Sequence, residues 1–245
     1  MDVAVQYQGI VFTDYDTDAD TVEIDRAHGL TPYNGPLAIS SNGDMDTRRF
    51  KDAIHEALRG AFSDAAVTRH NKVFTVRETN RSLAADVVPC ATYRYYWGKG
   101  SWQQHEGIRL LPDQATHPVN NYPEQQYTNG VNKNAQSSRR FKSVVRILKN
   151  LENQMVEDVA IDPIPGYLVE CLTYQAPLSC FNANSWADQV RGVLAHVWAA
   201  TADPACESEL VEINGIKYLF HAWQKWNRED ARVESTVVVF EGATA

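Results

Sequence analysis

An aspartate stands in the middle of an otherwise apolar segment, Ala-Asp-Val-Val-Pro at residues 85–89. A carboxylate inside an apolar strand costs free energy unless it is hydrogen-bonded, paired or bound to a metal ion. The same question arises for Asp2 in the segment Asp-Val-Ala-Val at residues 2–5. Two interpretations are open for Asp86: a strand-end aspartate satisfied by backbone N–H groups, or a metal ligand.

A second candidate feature is a group of basic residues in the second half of the chain. Five of them fall within eleven residues: Arg139, Arg140, Lys142, Arg146 and Lys149. Residues 137–151 are predicted to form a helix with an apolar face made of Phe141, Val144, Val145, Leu148 and Leu151. Helical spacing places Lys142, Arg146 and Lys149 together on another side. This side is either simply solvated or binds an anion.

The segment around Asp86 belongs to a half of the chain that is rich in predicted strands. These strands cover residues 2–5, 10–12, 73–76, 84–88, 93–97 and 107–111, and Pro89 is expected to end one of them. One amphipathic helix is predicted to begin at Thr47, with Asp46 as its cap. Its apolar stripe consists of Phe50, Ile54, Ala57, Leu58 and Phe62.

The second half changes character. Residues 120–135 are polar and suggest turns, and helices are predicted at residues 137–151, 167–174 and 186–200. Strands with a few helices, followed mostly by helices, indicate an α+β fold with two lobes. We expect a catalytic lobe over residues 1–135 and a helical lobe over residues 136–245.

The composition limits the classes of function. With 23 Lys and Arg against 31 Asp and Glu, the net charge is -8, whereas proteins that grip long duplex DNA are usually basic. No stretch approaches the roughly 20 apolar residues that cross a bilayer, and no secretory signal is apparent. The four cysteines are widely spaced and form no zinc-binding pattern. We expect a cytoplasmic protein with reduced thiols, no membrane association and no stable DNA binding.

Several segments together resemble one enzyme family, the bacterial CD-NTases, which are relatives of cyclic GMP-AMP synthase and oligoadenylate synthase. The matching segments are Asn121-Tyr122-Pro123, Tyr127-Thr128-Asn129-Gly130, Lys133-Asn134, residues 140–151, 164–172 and 212–220, and the two aspartate segments. Each motif is modest alone, but their order and spacing make the set specific over roughly residues 2 to 230. The resemblance implies a polymerase-β-like nucleotidyltransferase sheet with helices, followed by a helical lobe.

The resemblance also implies a metal site. Asp86 resembles the third catalytic aspartate of the family, and Asp2 resembles the second. Carboxylates on adjacent strands can hold two Mg²⁺ (or Mn²⁺) ions about 4 Å apart. Asp2 would hold metals, while Asp86 would hold the metal at the attacking ribose hydroxyl and help to deprotonate it.

Contacts to the nucleotide are implied in the helical lobe. Lys142 would reach the triphosphate, with Arg146 or Lys149 as helpers. Tyr167 resembles the position whose ring stacks on the base, and packing in the core is the alternative for this residue. We expect Lys142 and Tyr167 to face the same cleft as the two aspartates.

The chain departs from the family pattern at its first residues. The family carries a Gly-Ser phosphate loop and a first catalytic aspartate before the position of Asp2, and this chain begins one residue before Asp2. We interpret this as an N-terminal truncation, natural or from a misplaced start codon, and expect little nucleotide transfer without the missing motif. The alternative is that Asp14 and Asp16 form the Asp-x-Asp pair.

The expected activity is transfer of a nucleoside monophosphate from an NTP to a ribose hydroxyl by a two-metal mechanism. The product class would be a cyclic oligonucleotide second messenger in antiphage defence, which reaches a downstream effector protein only through the nucleotide. Two alternatives remain. One is a nucleotidyltransferase of toxin–antitoxin type that modifies protein or RNA, and the other is a truncated, non-catalytic remnant that binds nucleotides.

Overall fold

The computed structural model describes residues 2–15, 43–78, 83–97, 103–114, 119–158, 161–220 and 226–232. The chain divides into two compact units, Met1–Pro123 and Glu124–Ala245. The first holds a mixed sheet and the second is mostly helical, which confirms the predicted α+β class with a helical second lobe. The division precedes the expected boundary at residue 135 because the segment before that boundary forms a helix.

Among the described residues of the first unit, six strands form a sheet: β1 (Asp2–Tyr15), β2 (Val67–Arg69), β3 (Phe74–Val76), β4 (Ala85–Trp97), β5 (Gln103–Leu110) and β6 (Asn120–Asn121). The strands β2 to β6 follow each other as antiparallel neighbours, whereas β1 pairs with β4 in parallel. β4 is therefore the central strand. β1 lies along one of its edges, and β3 and β5 share the other.

The prediction that Pro89 ends the strand carrying Asp86 is wrong, because β4 continues to Trp97. The Pro89 carbonyl accepts a hydrogen bond from the Leu111 N–H, 3.1 Å away. The nitrogen of Pro89, which carries no hydrogen, therefore faces that same edge of β4. Pro89 lies where the partner strand changes, because Val87 is the last residue paired with β3 and Cys90 is the first paired with β5. The proline forgoes only the reciprocal bond to the Leu111 carbonyl, at the very start of the pairing with β5, so the strand tolerates it.

β1 also differs from its prediction. The two short strands predicted at residues 2–5 and 10–12 form one strand, which pairs with β4 through a register shift between Tyr7 and Val11. Its first part is not buried, since the side chain of Val3 is 38% exposed. Among the described strands, β1 pairs only with β4, so its apolar residues gain less cover than those of the central strand.

Helix α1 (Gly43–Phe62) supplies the apolar stripe predicted for it. Ile54 is buried, and Phe50, Leu58 and Phe62 pack against the same core of sheet residues, which are Val67, Phe74, Val76 and Val87. The helix begins before Thr47, so Asp46 lies inside the helix and is not its N-cap as predicted. Ala57 is exposed, unlike the rest of the predicted stripe.

Lys51 was not foreseen as a core residue, yet only 1% of it is exposed. Its ammonium group donates to the Asn71 carbonyl at 2.9 Å and lies 3.1 Å from an Asp113 oxygen. Arg69 binds the same Asp113 at 2.6 Å. Burial lowers the pKa of Lys51, while Asp113 opposes that effect. A buried charge of this kind is tolerated because it is paired and hydrogen-bonded.

The longer helices among the described residues of the second unit are α2 (Pro123–Gln136), α3 (Phe141–Glu157), α4 (Gly166–Gln175) and α5 (Trp186–Ala200). Short 3-10 helices occupy Leu178–Asn182 and Pro204–Ser208. The predicted apolar face of α3 is confirmed, with Phe141, Val144, Val145 and Leu148 buried and Leu151 packed against them. Within the described part of the chain, none of the helices combines the length and apolarity needed to cross a membrane.

The polar segment expected to contain turns is helix α2. Pro123 stands at its first position, where its missing N–H would have no partner in any case. Asn129 donates to the Ile213 carbonyl at 2.7 Å, and Lys133 donates to the Ala176 carbonyl at 2.6 Å. These tertiary hydrogen bonds outweigh the turn preference of Asn129-Gly130, where glycine costs a helix about 0.5–1 kcal/mol.

Candidate active site

The two aspartates singled out in the sequence stand opposite each other on neighbouring strands. In the parallel pair of β1 and β4, Asp2 is the register partner of Asp86, in agreement with the predicted placement. The side chain of Asp2 lies outside the described part of the structure. A common orientation of the two carboxylates therefore stays a prediction.

The carboxylate of Asp86 has a defined partner on the other edge of β4. Thr75, its register partner on β3, donates a hydrogen bond from Oγ1 to Asp86 Oδ1 at 2.8 Å. Both side chains are half-buried. Among the described residues, the second oxygen, Oδ2, has no hydrogen-bond partner. The cost of the buried carboxylate is thus offset by a side-chain hydroxyl, and one oxygen remains available to a ligand.

The donor types at this position suit a hard divalent cation. Mg²⁺ prefers carboxylate, phosphate and water oxygens, and the register brings two aspartates to one point of the sheet. No group of three or more His, Cys, Asp or Glu side chains suited to a metal ion occurs among the residues that the structure describes. Two aspartates are a residue type that suits Mg²⁺, and the remaining ligands would have to come from substrate and water.

The alternative metal pair, Asp14 and Asp16, does not fit this position. Asp14 is the register partner of Tyr95, nine residues along β4 from Asp86. At about 3.3 Å per residue, that separates it from Asp86 by roughly 30 Å. Carboxylates that share a two-metal site must lie far closer than this. Asp16 lies outside the described residues.

The basic face of α3 contains two different kinds of cation. Lys142 and Arg146 are exposed, and their side chains have no partner among the described residues. Lys149 instead binds Glu170 on α4, with 2.5 Å between Nζ and Oε1. A Cβ at position 166 would lie 3.3 Å from Lys149 Nζ, so Gly166 leaves room for the lysine to pass. Lys142 and Arg146 are therefore the better candidates for an anion.

The first turn of α3 is held by the end of α2. The Lys142 N–H donates to Asn134 Oδ1 at 3.1 Å, and the Phe141 N–H donates to Ser137 Oγ at 3.0 Å. Between the helices, Ser138 and Arg139 adopt positive φ angles of 52° and 66°, which are uncommon for residues other than glycine. These side-chain acceptors satisfy N–H groups that a helix start leaves free, and they fix where the Lys142 side chain begins.

Tyr167 sits at the edge of the helical core. Its ring meets Trp226 edge-on, with 6.2 Å between the centroids, and its hydroxyl donates to Glu212 Oε2 at 3.2 Å. Burial raises the pKa of the Tyr167 hydroxyl far above its usual value, so the hydroxyl remains a donor. The side of the Tyr167 ring that meets Trp226 is therefore packed in the core, as one of the two predictions for this residue had it. The ring is only partly buried, so base stacking stays a prediction.

Glu212 is nearly fully buried and contacts several polar groups. Besides Tyr167, it accepts from Asn214 Nδ2 at 2.6 Å and lies 3.4 Å from Lys217 Nζ. Sequence reasoning included Glu170 and Glu212 in matching segments without giving them a role, and it did not single out Thr75. A Thr in a predicted strand and a Glu on a predicted helix are ordinary residues. Only strand register and helix packing reveal their partners.

The predicted meeting of Lys142 and Tyr167 with the two aspartates joins residues of both units, and it stays a prediction. Within the second unit, the structure places Lys142 and Arg146 on the free face of α3 and Tyr167 at the start of α4. Within the first unit, it places Asp2 and Asp86 at paired positions of the sheet.

Comparisons with known proteins agree over most of the chain. The profile of the cGAS/DncV-like nucleotidyltransferase C-terminal helical domain matches residues 128–237. A cyclic dipyrimidine nucleotide synthase, CdnE, of Legionella pneumophila is 32% identical over 235 residues, which cover 95% of this chain and 74% of that protein. A CdnE of the same name from Cecembia lonarensis is 31% identical over 74% of this chain, and the match spans 61% of its own length.

A solved structure shows the same fold. The Rhodothermus marinus CdnE c-UMP-AMP synthase, determined with Apcpp and Upnpp, superposes with a TM-score of 0.78 and 27% sequence identity. The superposition covers 99% of this chain and 77% of that chain. The two units and the mixed sheet described above therefore recur in an experimentally determined nucleotidyltransferase.

Proposed function

The chain belongs to the cGAS/DncV-like nucleotidyltransferases (CD-NTases), and from this we propose that it transfers a nucleoside monophosphate from an NTP to a ribose hydroxyl and makes a cyclic oligonucleotide. The single observation that carries the proposal is the register of Asp2 with Asp86 on parallel neighbouring strands. This register supports the proposal, because a divalent metal site requires two carboxylates close together on neighbouring strands.

Asp2 and Asp86 are the residues that would hold Mg²⁺ or Mn²⁺. When bound, such ions lower the pKa of the attacking hydroxyl and neutralise charge on the triphosphate and the leaving pyrophosphate. The free Oδ2 of Asp86 supports its role as a ligand. Its Oδ1 already accepts the Thr75 hydrogen bond, which limits how the carboxylate can turn.

In the transfer step, a ribose hydroxyl oxygen forms a bond to the α-phosphorus of the NTP. The bond from that phosphorus to the oxygen that bridges to the β-phosphate breaks, and pyrophosphate leaves with the electron pair. Asp86 receives the proton of the attacking hydroxyl. A second transfer of the same kind, between the two ends of a linear intermediate, closes the ring.

Lys142 and Arg146 bind the triphosphate in this proposal. Both are exposed cations on one face of α3, and neither is engaged by an acid among the described residues. Lys149 is the weaker helper because Glu170 already neutralises it. Tyr167 stacks on a base with the side of its ring that does not meet Trp226, a type of contact worth roughly 1–3 kcal/mol.

The cyclic product would act as a second messenger in antiphage defence, in the cytoplasm, and would reach an effector protein by diffusion. This role rests on the family and on relatives named as cyclic nucleotide synthases. The names of two relatives specify pyrimidine products, so UTP and CTP have to be tested as substrates alongside ATP and GTP.

The test is an assay of the full protein, as its genome encodes it, with all four radiolabelled NTPs and either Mg²⁺ or Mn²⁺. We expect a product that resists alkaline phosphatase, because a ring has no terminal phosphate. The product should disappear in Asp86→Asn, which keeps the shape of the side chain but removes its charge. A phosphatase-resistant product made equally well by the Asp86→Asn protein would refute the assigned metal site.

A further inference from the structure

Asp86 is hydrogen-bonded by a residue to which no role has been assigned. Thr75 stands directly opposite it on β3, and the hydroxyl donates to Asp86 Oδ1 over 2.8 Å. Asp86 thus stands between two strands, with Thr75 opposite it on β3 and Asp2 opposite it on β1. Within the described part of the chain, no other side chain bonds to Asp86.

We propose that Thr75 is a positioning residue, which fixes the orientation of the Asp86 carboxylate so that Oδ2 is presented to the divalent metal ion. The proposal rests on the proposed function, since it needs Asp86 to be a metal ligand. Thr75 itself touches neither metal nor nucleotide. Its contribution passes through Asp86.

The chemistry of threonine in a strand suits this task. Its β-branched side chain has few allowed χ1 rotamers, so the hydroxyl has a nearly fixed position once β3 is paired. A hydrogen bond to one carboxylate oxygen opposes rotation of the carboxylate plane, which would otherwise be free about χ2. Because the register pairs Thr75 with Asp86 directly, the two side chains need no further support to meet.

A residue without a hydroxyl could also occupy position 75 of β3. Valine has the same shape as threonine and a high strand propensity, and the neighbours of Thr75 on β3, Phe74 and Val76, are apolar and buried. Phe74 and Val76 point to the other face of the sheet, so the hydroxyl that valine would lack is the part of Thr75 that reaches Asp86. The Thr75 hydroxyl donates to the carboxylate of Asp86, which lies directly opposite it.

Four variants of the full protein separate these roles: Thr75→Val removes the hydroxyl and keeps the shape, Thr75→Ser keeps the hydroxyl, Asp86→Asn removes the ligand, and Thr68→Val is the control. Thr68 is the register partner of Thr75 on β2, so its variant makes the same chemical change one strand further from Asp86. Circular dichroism and thermal unfolding establish that each variant is folded.

The measurement is direct binding of Mn²⁺, followed by electron paramagnetic resonance of the free ion. Loss of a residue that orients a metal ligand typically weakens metal affinity about 10–100-fold, and we expect a loss in that range for Thr75→Val. Thr75→Ser should recover most of the affinity, and Thr68→Val should bind like the unaltered protein. Asp86→Asn should lose the site.

The outcomes distinguish this inference from the function on which it rests. If the unaltered protein shows no Mn²⁺ binding that depends on Asp86, the metal site of the proposed function fails, and the inference fails with it. If Asp86-dependent binding is present and Thr75→Val binds as tightly as the unaltered protein, only the role of Thr75 is overturned. A loss shared equally by Thr75→Val and Thr68→Val would also overturn it.

Discussion

Lys149 on α3 and Glu170 on α4 form an ion pair, with 2.5 Å between Nζ and Oε1. This pair divides a basic helix face that looks uniform in the sequence. Lys149 ties two helices together, whereas Lys142 and Arg146 remain exposed on the same helix. The division leads to opposite expectations for substitutions of these residues.

Lys142→Ala should weaken NTP binding, because a hydrogen bond to a charged group contributes about 1.5–3 kcal/mol, and should leave the free energy of unfolding nearly unchanged. Lys149→Met should lower the free energy of unfolding by no more than about 1 kcal/mol, as expected for a partly exposed ion pair, with a smaller effect on NTP affinity. Isothermal titration with a non-hydrolysable NTP and urea unfolding provide both numbers. Lys142→Arg, which keeps the charge, is the control. If Lys149→Met lost more NTP affinity than Lys142→Ala, Lys149 would be the residue that binds the nucleotide and Lys142 would not.

Tyr167 can be tested by separating its hydroxyl from its ring. Tyr167→Phe removes the hydrogen bond to the Glu212 carboxylate and should lower the free energy of unfolding by about 1.5–3 kcal/mol, while NTP affinity is retained. Tyr167→Leu removes the aromatic face and should also cost roughly 1–3 kcal/mol of binding free energy if the ring stacks on a base. If both variants bound NTP equally well, base stacking would be ruled out, and packing in the core would be the role of Tyr167.

Gly107 is required by the close approach of β6 to β5. A Cβ there would clash with the Asn121 carbonyl oxygen and lie 2.8 Å from Tyr122 Cδ1. Gly107→Ala should therefore lower the free energy of unfolding by about 1–3 kcal/mol, as overpacking does. Gly60→Ala is the matched control, because a Cβ on that helical glycine meets nothing within 4 Å, and it should stabilise the protein by about 0.4–1 kcal/mol. Urea unfolding of both variants measures the contrast.

The Asp113 cluster predicts a loss of stability in acid. The hydrogen bond from Arg69, with further help from Lys51, holds the pKa of Asp113 below its usual value of 3.8. A carboxylate with a lowered pKa contributes stability above its usual value, and this stability is lost as the pH falls through the lowered pKa. Asp113→Asn should be less stable than the unaltered protein at neutral pH and should lose less on acidification. Urea midpoints measured from neutral pH to below 3.8 test this, and parallel pH profiles would contradict it.

Elements with strong local signals could be predicted from the sequence alone. Helix α5 covers the residues that its apolar spacing indicated, and Ser185 caps its start by accepting from the Asp188 N–H. The placement of Asp86 in a strand beside that of Asp2 was also foreseen. Here the local residue pattern and the tertiary structure favour the same result.

Where the prediction failed, distant contacts decided the structure. The Asn129-Gly130 pair lies in a helix because the Asn129 amide reaches the Ile213 carbonyl. Lys51 is buried because Asp113, far along the chain, lies beside it. The pairing of Thr75 with Asp86 depends on register, which no local pattern of residues reveals.

The central position of β4 bears on how the first unit folds. Its partner β1 lies far away in the chain, and the bond from Gln6 to Thr92 joins residues 86 positions apart. Pairing over such a distance requires closing a long loop before any contact offsets the lost entropy, which slows folding. We expect the sheet to form later than the helices of the second unit, which follow one another closely in the chain. Until β1 has paired, one edge of β4 is left open to other strands, which makes the refolding chain prone to aggregation at this edge.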